Sequence, residues 1–429
     1  MKFPAATYSH VMTSHTLQPV SLAERVDLID VVRGFALFGV LLGNLVWITT
    51  DVVLTDTRQA QLATAQLDRI VKPFIVFFID HKFYTLFSFL FGLGFAIQLT
   101  RADERGRPLV ATYARRVLIL AIIGVVHITL LWYGDILVMY AVGGFGLLLV
   151  RRWNARVLLL LALTLALFAR AAVGAYPLLT GPPPAAAPSS AMQGNTEKER
   201  RLAVYGSGSY GALSAENRSH YYGDIVSRGV GLFLFPQVFG RFLLGLYAGR
   251  RKWPYRTAEL VPVLRRWLPW AAAIGAIGNG LALAVEHWQH TGMLGRDSYW
   301  AHVAAVVEEG GILAMAFTYL AALVLLFHHS ARGRQRLGHL APVGRMALTN
   351  YLTHSVLFLV LFSGVGFGLY GEVGPAWCVV LSIVIFAVQM ILSRWWLTHY
   401  RFGPAEWIWR TLTYGELQPM RATGHVPTA

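Results

Sequence analysis

Apolar stretches separated by short polar segments run through the chain from one end to the other. The stretches bounded by charged or turn-forming residues lie near 31–49, 72–99, 117–133, 136–150, 157–179, 229–249, 268–286, 302–328, 346–370 and 376–399. Apolar runs of about 18 residues or more are typical of transmembrane helices, and a backbone in lipid must satisfy its hydrogen bonds internally. The pattern predicts an all-α polytopic membrane bundle of about ten transmembrane helices. The stretch at 72–99 is long and polar at its middle, which predicts a break there.

The composition supports a membrane protein. Of 429 residues, 55% are hydrophobic and 14% are charged, whereas about a quarter of residues are charged in soluble proteins. The mean hydropathy is +0.51. Cys378 is the chain's only cysteine, so an intrachain disulfide and a cysteine-based metal site are excluded.

The net charge of +15 reflects where the basic residues lie relative to the apolar stretches. Segments on one side of the predicted membrane carry 25 of the 37 Lys and Arg residues: 1–33, 100–116, 151–156, 250–267, 331–345 and 394–429. Basic residues concentrate on the cytoplasmic side of bacterial membrane proteins, so both termini are predicted to be cytoplasmic. Because the positive charge is juxtamembrane, no nucleic-acid partner is expected.

The same pattern divides the chain into five parts. They are a cytoplasmic tail (1–24), an N-terminal helix group with the candidate active site (25–179), an outer Pro/Gly/Ser-rich loop (180–228), a C-terminal helix group (229–399) and a cytoplasmic interfacial helix and tail (400–429). Proline clusters and small polar residues favour an extended outer loop, with a short helix expected at 195–204.

Ionisable and strongly polar residues inside predicted spans are candidates for function, because burying them in lipid is costly. His127 has Asp135 eight residues later, across a Gly134-Asp135 turn, and a carboxylate can orient an imidazole that acts as a general base. We therefore take His127 and Asp135 as candidate catalytic residues. Asn44, Lys82, His81 and Asn350 are substrate-binding candidates, and His81 competes with His127 as the base. Hydrogen bonds or ion pairs between helices are the structural alternative for each.

Charged residues also cluster where spans meet the predicted cytoplasm. Asp30 and Arg33 are three residues apart on one helix face. Arg345 opens the ninth span, and Glu406 and Arg410 belong to a Trp-rich interfacial segment. These five are candidates for binding a polyanionic donor such as coenzyme A, with membrane anchoring as the alternative. No metal-binding spacing occurs within a span.

Several motifs follow one another in a set order from residue 25 to about 415. They are Leu28-Ile-Asp30-Val-Val-Arg33-Gly34, Lys82-Phe-Tyr-Thr-Leu-Phe-Ser-Phe-Leu-Phe91-Gly92, Gly134-Asp135-Ile-Leu, Gly344-Arg345-Met-Ala-Leu-Thr-Asn350-Tyr351 and Gly403-Pro404-Ala-Glu406-Trp407-Ile-Trp409-Arg410. Together they resemble the YeiB family of bacterial membrane proteins, whose C-terminal half is a domain of unknown function.

The first-helix pattern also looks like that of the wider superfamily of transmembrane acyltransferases, which includes the sugar O-acyltransferases and the heparan-glucosamine acetyltransferase. In the sugar enzymes an Arg is followed eleven residues later by a His. Here Arg33 is followed at that spacing by Asn44, as in the heparan-type enzymes, which take their histidine from elsewhere. His127 is the best replacement and His81 the second.

The resemblance implies an integral acyltransferase of the bacterial cytoplasmic (inner) membrane. It would move an acyl group, acetyl by preference, from cytoplasmic acyl-CoA to a sugar, a lipid-linked glycan or a small metabolite. A transporter or lipid-handling protein that uses the same polar residues as a substrate or proton path is the alternative. Membrane lipid is an expected partner. The sequence leaves the oligomeric state open, with a homodimer among the alternatives.

Overall fold

The computed structural model describes residues 27–106, 108–180, 188–227, 230–295 and 298–422. Over these ranges the chain is helical, and paired β geometry is limited to an isolated bridge between Tyr400 and Arg421. The predicted all-α fold class is confirmed. The predicted cytoplasmic tail 1–24 lies outside the described residues.

The N-terminal helix group is a series of helices joined by short turns. In chain order it contains α1 (Asp27–Val46), a π-helical turn (Trp47–Asp51), α2 (Asp56–Gln61), α3 (Ala65–Phe78), α4 (Lys82–Glu104), α5 (Val110–Leu130), α6 (Leu137–Val150) and α7 (Ala155–Thr180).

The outer segment and the C-terminal group follow. They contain α8 (Pro188–Gly206), α9 (Tyr210–His220), a second π-helical turn (Tyr221–Ser227), α10 (Val230–Arg250), α11 (Thr257–His290), α12 (Tyr299–His329), α13 (Ala331–Gly338), α14 (Ala341–Arg345), α15 (Ala347–Phe362), α16 (Pro375–His399) and α17 (Pro404–Tyr414).

Each apolar stretch found in the sequence contains most of one helix or, at 72–99, parts of two. Within the described ranges, six helical segments are long and apolar enough to cross a membrane: Asp27–Asp51 (α1 with the π-helical turn), Ala65–Glu104 (α3 with α4), Val110–Leu130, Thr257–His290, Tyr299–His329 and Pro375–His399. Others are apolar but shorter, such as Leu137–Val150 and Ala347–Phe362, below the length of about 20 residues that a full crossing needs. The protein is therefore a helical membrane protein, and the number of crossings stays a prediction.

The long second span is broken, as predicted. Helix α3 ends at Phe78 and α4 begins at Lys82. Between them His81 has a φ of 65°, in the left-handed region that side chains other than glycine rarely adopt. The break separates α3, on the side predicted to be outer, from α4, which runs toward the side predicted to be cytoplasmic.

The outer segment is more helical than expected. Residues 180–228 were predicted to form an extended loop with a short helix at 195–204, but α8, α9 and a π-helical turn occupy most of the described part. Glu197 forms ion pairs with Arg200 and Arg201 within α8, and Ser209 caps α9 by accepting from the Ala212 amide. Such local pairs and caps stabilise helices. The proline cluster at 182–184, which favoured a loop, lies outside the described residues.

Helix α9 packs on the outer end of α5. Its side chains donate hydrogen bonds to three successive carbonyl groups there: Ser214 to Thr129 (2.7 Å), Tyr210 to Leu130 (2.8 Å) and Asn217 to Leu131 (3.4 Å). The last carbonyl groups of a helix have no partner within it. Helix α9 therefore supplies hydrogen-bond donors to carbonyl groups at the end of α5.

Two glycines allow α1 and α14 to touch backbone to backbone. A Cβ on Gly34 would lie 2.2 Å from the Leu340 carbonyl oxygen, and one on Gly344 would lie 1.9 Å from the Asp30 carbonyl oxygen. Only glycine permits this approach, which brings Arg33 and Arg345 to the same end of the bundle.

Candidate active site

A cavity of about 840 Å³ runs between α1, α4, α5, α6, α15 and α17. It extends from Trp47 and Asp51, in the π-helical turn after α1, to Arg101 and Arg410 at the opposite end of the bundle. The end with Arg101 and Arg410 is predicted to be cytoplasmic and is called here the inner end, and the end with Trp47 is called the outer end. Eight of the candidate residues line it: Asp30, Arg33, Asn44, His81, Asp135, Arg345, Glu406 and Arg410. His127, Lys82 and Asn350 do not.

The break in the second span forms part of the outer wall of this cavity. His81 is exposed and lines the cavity, and its ring lies edge-on to the Tyr84 ring, with the centroids 5.5 Å apart. Asp80 precedes it and lies against Gly43, next to Asn44 on α1. Left-handed non-glycine residues concentrate at functional sites. His81 is thus an imidazole held by the backbone in direct contact with the cavity.

His127 and Asp135 lie together, as the sequence predicted. The His127 Nδ1 and Asp135 Oδ1 atoms are 3.0 Å apart, and the other oxygen of Asp135 accepts from the Val138 amide at the start of α6. Both side chains are fully buried. Asp135 therefore contributes to the cavity wall with its backbone, while its carboxylate faces His127.

The third member of this group was not found by reasoning from the sequence. The Ser355 Oγ atom, on α15, lies 2.7 Å from His127 Nε2. The Tyr351 ring lies one turn earlier on α15, 5.3 Å from the His127 ring, and lines the cavity. Tyr351 thus stands between the cavity and the buried Ser355–His127–Asp135 array.

Two predicted substrate-binding residues have other surroundings. Lys82 is buried and donates to the carbonyl oxygen of Val76 (2.6 Å), close to the end of α3. Asn350 is buried and donates to Ser393 (3.0 Å) and to the carbonyl oxygen of Val343 (3.3 Å). Lys82 thus connects α4 to the end of α3, and Asn350 connects α15 to α14 and α16. Neither side chain lines the cavity.

Five arginines line the inner half of the cavity and are called here the arginine cluster: Arg33, Arg101, Arg116, Arg345 and Arg410. Arg33 pairs with Asp30 at 3.0 Å, as the three-residue spacing predicted. The Nε atom of Arg345 is buried and has no hydrogen-bond partner among the described residues. Arg101 and Arg116 were not singled out from the sequence, although both belong to the basic segment 100–116.

Glu406 makes structural contacts at the start of α15, and its part in donor binding stays a prediction. Its carboxylate accepts from the Leu348 amide (2.7 Å), the Thr349 amide (3.1 Å) and the Thr349 hydroxyl (2.6 Å), so it caps the start of α15. Burial raises the pKa of the Glu406 carboxyl, while these hydrogen bonds favour its ionised form. Glu406 lines the cavity but is engaged in holding α17 against α15.

A buried ion pair beside the cavity was also missed. Arg241 on α10 contacts Glu309 on α12, and it donates to the Tyr84 hydroxyl, a cavity-lining group (3.1 Å). Both charged residues lie within predicted spans. The rule that singles out ionisable residues in lipid applies to this pair as well.

The known proteins that this chain resembles belong to a family whose activity is not established. Residues 248–416 match the family described as a protein of unknown function (DUF418). The chain is 32% identical over 419 residues to the uncharacterized protein YxaH of Bacillus subtilis, covering 94% of this chain and 98% of that one. It is 28% identical over 412 residues to the uncharacterized protein YeiB of Escherichia coli, covering 91% and 96%. No solved structure matches.

Proposed function

We propose that this chain, which belongs to the YeiB-like family of membrane proteins with a C-terminal DUF418 segment, is an integral membrane acyltransferase. It would take an acyl group, acetyl by preference, from acyl-CoA on the cytoplasmic side. The acceptor would be a hydroxyl or amine of a sugar, a lipid-linked glycan or a small metabolite. In a bacterium such a protein would lie in the cytoplasmic membrane with both termini inside.

The observation that carries this proposal is that one cavity joins two chemically different ends. The arginine cluster lines the inner half, and Asn44, Asp80 and His81 line the outer half. Arg33 and Asn44 are eleven residues apart on α1, which is ~16 Å along a helix. Apolar side chains such as Leu37 and Val40 line the cavity between them. The distance suits a donor whose phosphates and reactive thioester are separated by a long, thin arm.

The donor would bind through the arginine cluster. Five guanidinium groups share this half of the cavity with two carboxylates, of which Asp30 pairs with Arg33 and Glu406 caps α15. Like charges held together in a partly desolvated site repel one another, and a polyanion relieves that repulsion. Guanidinium groups are also well suited to phosphates, because they present several donors in a plane.

The acceptor would enter the outer half. Developing negative charge on the acyl carbonyl needs hydrogen-bond donors, and the Asn44 amide is one that faces the cavity. For a direct transfer from donor to acceptor, the accessible base would be His81, because His127 is fully buried. Asp80 is the neighbouring carboxylate that would balance the charge of a protonated His81.

The test is donor binding and transfer by the full-length protein in nanodiscs, using radiolabelled acetyl-CoA and a panel of sugar and amine acceptors. We expect Arg345→Gln to weaken donor binding by about tenfold or more, since hydrogen bonds to charged groups contribute about 1.5–3 kcal/mol. Arg334→Gln is the matched control, because Arg334 lies on α13 outside the cavity. Absence of acetyl-CoA binding to the wild-type protein would overturn the proposal.

A transporter is the second candidate. The broken helix α3–α4 and a cavity that approaches both ends of the bundle are also features of membrane transporters. Substrate flux across vesicles that contain the protein, without covalent change of the substrate, would support this function over acyl transfer.

A further inference from the structure

The hydroxyl group of Ser355 is the first member of a buried hydrogen-bonded array. It lies 2.7 Å from His127 Nε2, and His127 Nδ1 lies 3.0 Å from Asp135 Oδ1. Asp135 is held in turn by the Val138 amide, 2.8 Å from its second oxygen. The array joins α15, α5 and the start of α6 at the outer half of the bundle.

With Asp135 ionised and His127 neutral, one set of hydrogen-bond directions satisfies all three groups. An ionised carboxylate only accepts, so the proton between His127 and Asp135 resides on Nδ1 of the ring. In the neutral imidazole Nε2 is then an acceptor, and the Ser355 hydroxyl donates to it. A serine hydroxyl that donates to a histidine oriented by an aspartate is the arrangement that activates serine nucleophiles.

The Ser355 hydroxyl differs from several other hydroxyl groups in or next to the apolar helices, which bond to the backbone of their own helix. Thr129, Thr353 and Ser363 each donate to the backbone carbonyl four residues earlier, at 2.6–2.8 Å. That bond is the usual way for a helix to satisfy a buried hydroxyl. The Ser355 hydroxyl has His127 as its partner instead, across 228 residues of sequence.

Tyr351 separates the array from the cavity. Its side chain precedes Ser355 by one helical turn on the same face of α15, lines the cavity and donates a long hydrogen bond to the Gly134 carbonyl oxygen (3.4 Å). Ser355 itself is only 1% exposed. Exclusion of water protects a reactive acyl ester from hydrolysis, which a transferase requires and a hydrolase does not.

We propose that Ser355 is the nucleophile of a covalent step in which the acyl group rests on its oxygen before reaching the acceptor. This inference rests on the proposed function for its acyl thioester donor. Movement of the Tyr351 ring would admit the thioester from the cavity. His127 is then the base, as its pairing with Asp135 suggested from the sequence, and His81 orients the acceptor.

The two half-reactions balance as follows. Ser355 Oγ bonds to the thioester carbonyl carbon and the carbon–sulfur bond breaks. The serine proton passes to His127 Nε2 and from there to the departing thiolate, which leaves as a thiol. The acceptor hydroxyl or amine then attacks the acyl-serine carbon and loses its proton to His127. The bond from that carbon to Ser355 Oγ breaks, and His127 returns the proton to Oγ.

The experiment has two parts and uses the full-length protein in nanodiscs. First, the protein is incubated with radiolabelled acetyl-CoA without acceptor, and its peptides are analysed by mass spectrometry. We expect an acetyl ester on Ser355, and Ser355→Ala should abolish it and lower kcat at least about a hundredfold. Second, a fluorophosphonate probe is applied to wild type, Ser355→Ala and Tyr351→Ala. It should label the wild type, label Tyr351→Ala faster and leave Ser355→Ala unlabelled.

Two variants guard against a simple folding defect. Ser382→Ala is the matched control, because Ser382 is also fully buried and its hydroxyl has no hydrogen-bond partner among the described residues. This variant should retain labelling and transfer. Ser355→Cys keeps a nucleophile at the position, and its acetyl adduct should be a thioester that neutral hydroxylamine cleaves, unlike the serine ester.

The failure of this inference is distinguishable from that of the proposed function. Product formation by Ser355→Ala at the wild-type rate would overturn the covalent step and leave acyl transfer standing, with His81 as the base. No donor binding and no transfer by the wild type would overturn both. An acetyl ester on Ser355 that passes to the acceptor on its addition would establish the covalent step.

Discussion

The guanidinium group of Arg116 lies over the ring of Trp409, 3.7 Å from its centroid, and the Trp409 indole donates to the Arg116 carbonyl oxygen at 2.8 Å. This pair of interactions holds α17 against α5 and places α17 across the inner end of the cavity.

Trp409→Leu removes both interactions between α17 and α5. We expect a loss of about 2 kcal/mol in unfolding free energy, measured by denaturant titration in detergent. Trp395→Leu is the control, because Trp395 is 55% exposed on the apolar face of α16, and it should change stability little.

Glu406→Gln should destabilise the protein by about 1–3 kcal/mol, because an amide cannot accept the three hydrogen bonds that the carboxylate accepts at the start of α15. Besides the lower free energy of unfolding of the whole protein, amide hydrogen exchange should be faster in the first turn of α15. Glu416→Gln, at an exposed position after α17, should leave both quantities unchanged. Equal exchange in the two variants would contradict the capping role.

Gly344→Ala should displace α14 from α1, since the new methyl group would meet the Asp30 carbonyl oxygen at 1.9 Å. Overpacking of this kind costs about 1–3 kcal/mol, and it should also weaken acetyl-CoA binding by moving Arg345. Gly338→Ala has open space around the added carbon and serves as the control. A Gly344→Ala protein with normal stability and donor binding would be inconsistent with this packing.

Because Arg241 and Glu309 form a buried ion pair, their substitutions should have strongly non-additive effects on the free energy of unfolding. Arg241→Met leaves the Glu309 carboxylate without the Arg241 charge and should cost about 3–5 kcal/mol, whereas adding Glu309→Gln should recover much of that loss. Thermal unfolding of the two single variants and the double variant measures the coupling. A double variant whose loss equals the sum of the single losses would show that the charges do not interact.

Helix α8 of the outer segment should become less stable in acid. A hydrogen bond from Arg200 lowers the pKa of the Glu197 carboxyl from 4.5 to about 2. A lowered pKa means stabilisation that is present above about pH 4.5 and is lost as the pH falls toward 2. Glu197 is partly exposed, so the effect should be under about 1 kcal/mol. The protection factors of the α8 amides, which correct exchange for its intrinsic rate at each pH, should fall between pH 6 and pH 3 in wild type and fall less in Glu197→Gln. Exposed Glu372→Gln should behave like wild type.

Hydropathy predicted the helices because the period and length of apolar runs are local properties. The break at His81 and the meeting of His127 with Asp135 were predicted for the same reason, since each depends on neighbouring residues. Ser355 lies 228 residues from His127, and nothing near either residue encodes that contact. Glu406 likewise reaches a helix start 58 residues away.

Other differences arose from competing local signals. Three prolines after Gly181 favoured a loop, while the ion pairs of Glu197 and the cap at Ser209 support helices in the rest of that segment. Lys82 was placed among substrate ligands because it is charged in an apolar span. Its ammonium group instead donates to a carbonyl near the end of α3, which the break leaves short of helical partners.

The hydrogen bonds from α9 to the last carbonyl groups of α5 also bear on how the chain can be engineered. The segment between the two helix groups is where a tag or a fluorescent protein would ordinarily be inserted, or where the chain would be shortened. Deleting α9 would strip donors from the carbonyl groups of Thr129, Leu130 and Leu131, only a few residues from Asp135. The outer segment is therefore to be treated as a structural part of the bundle.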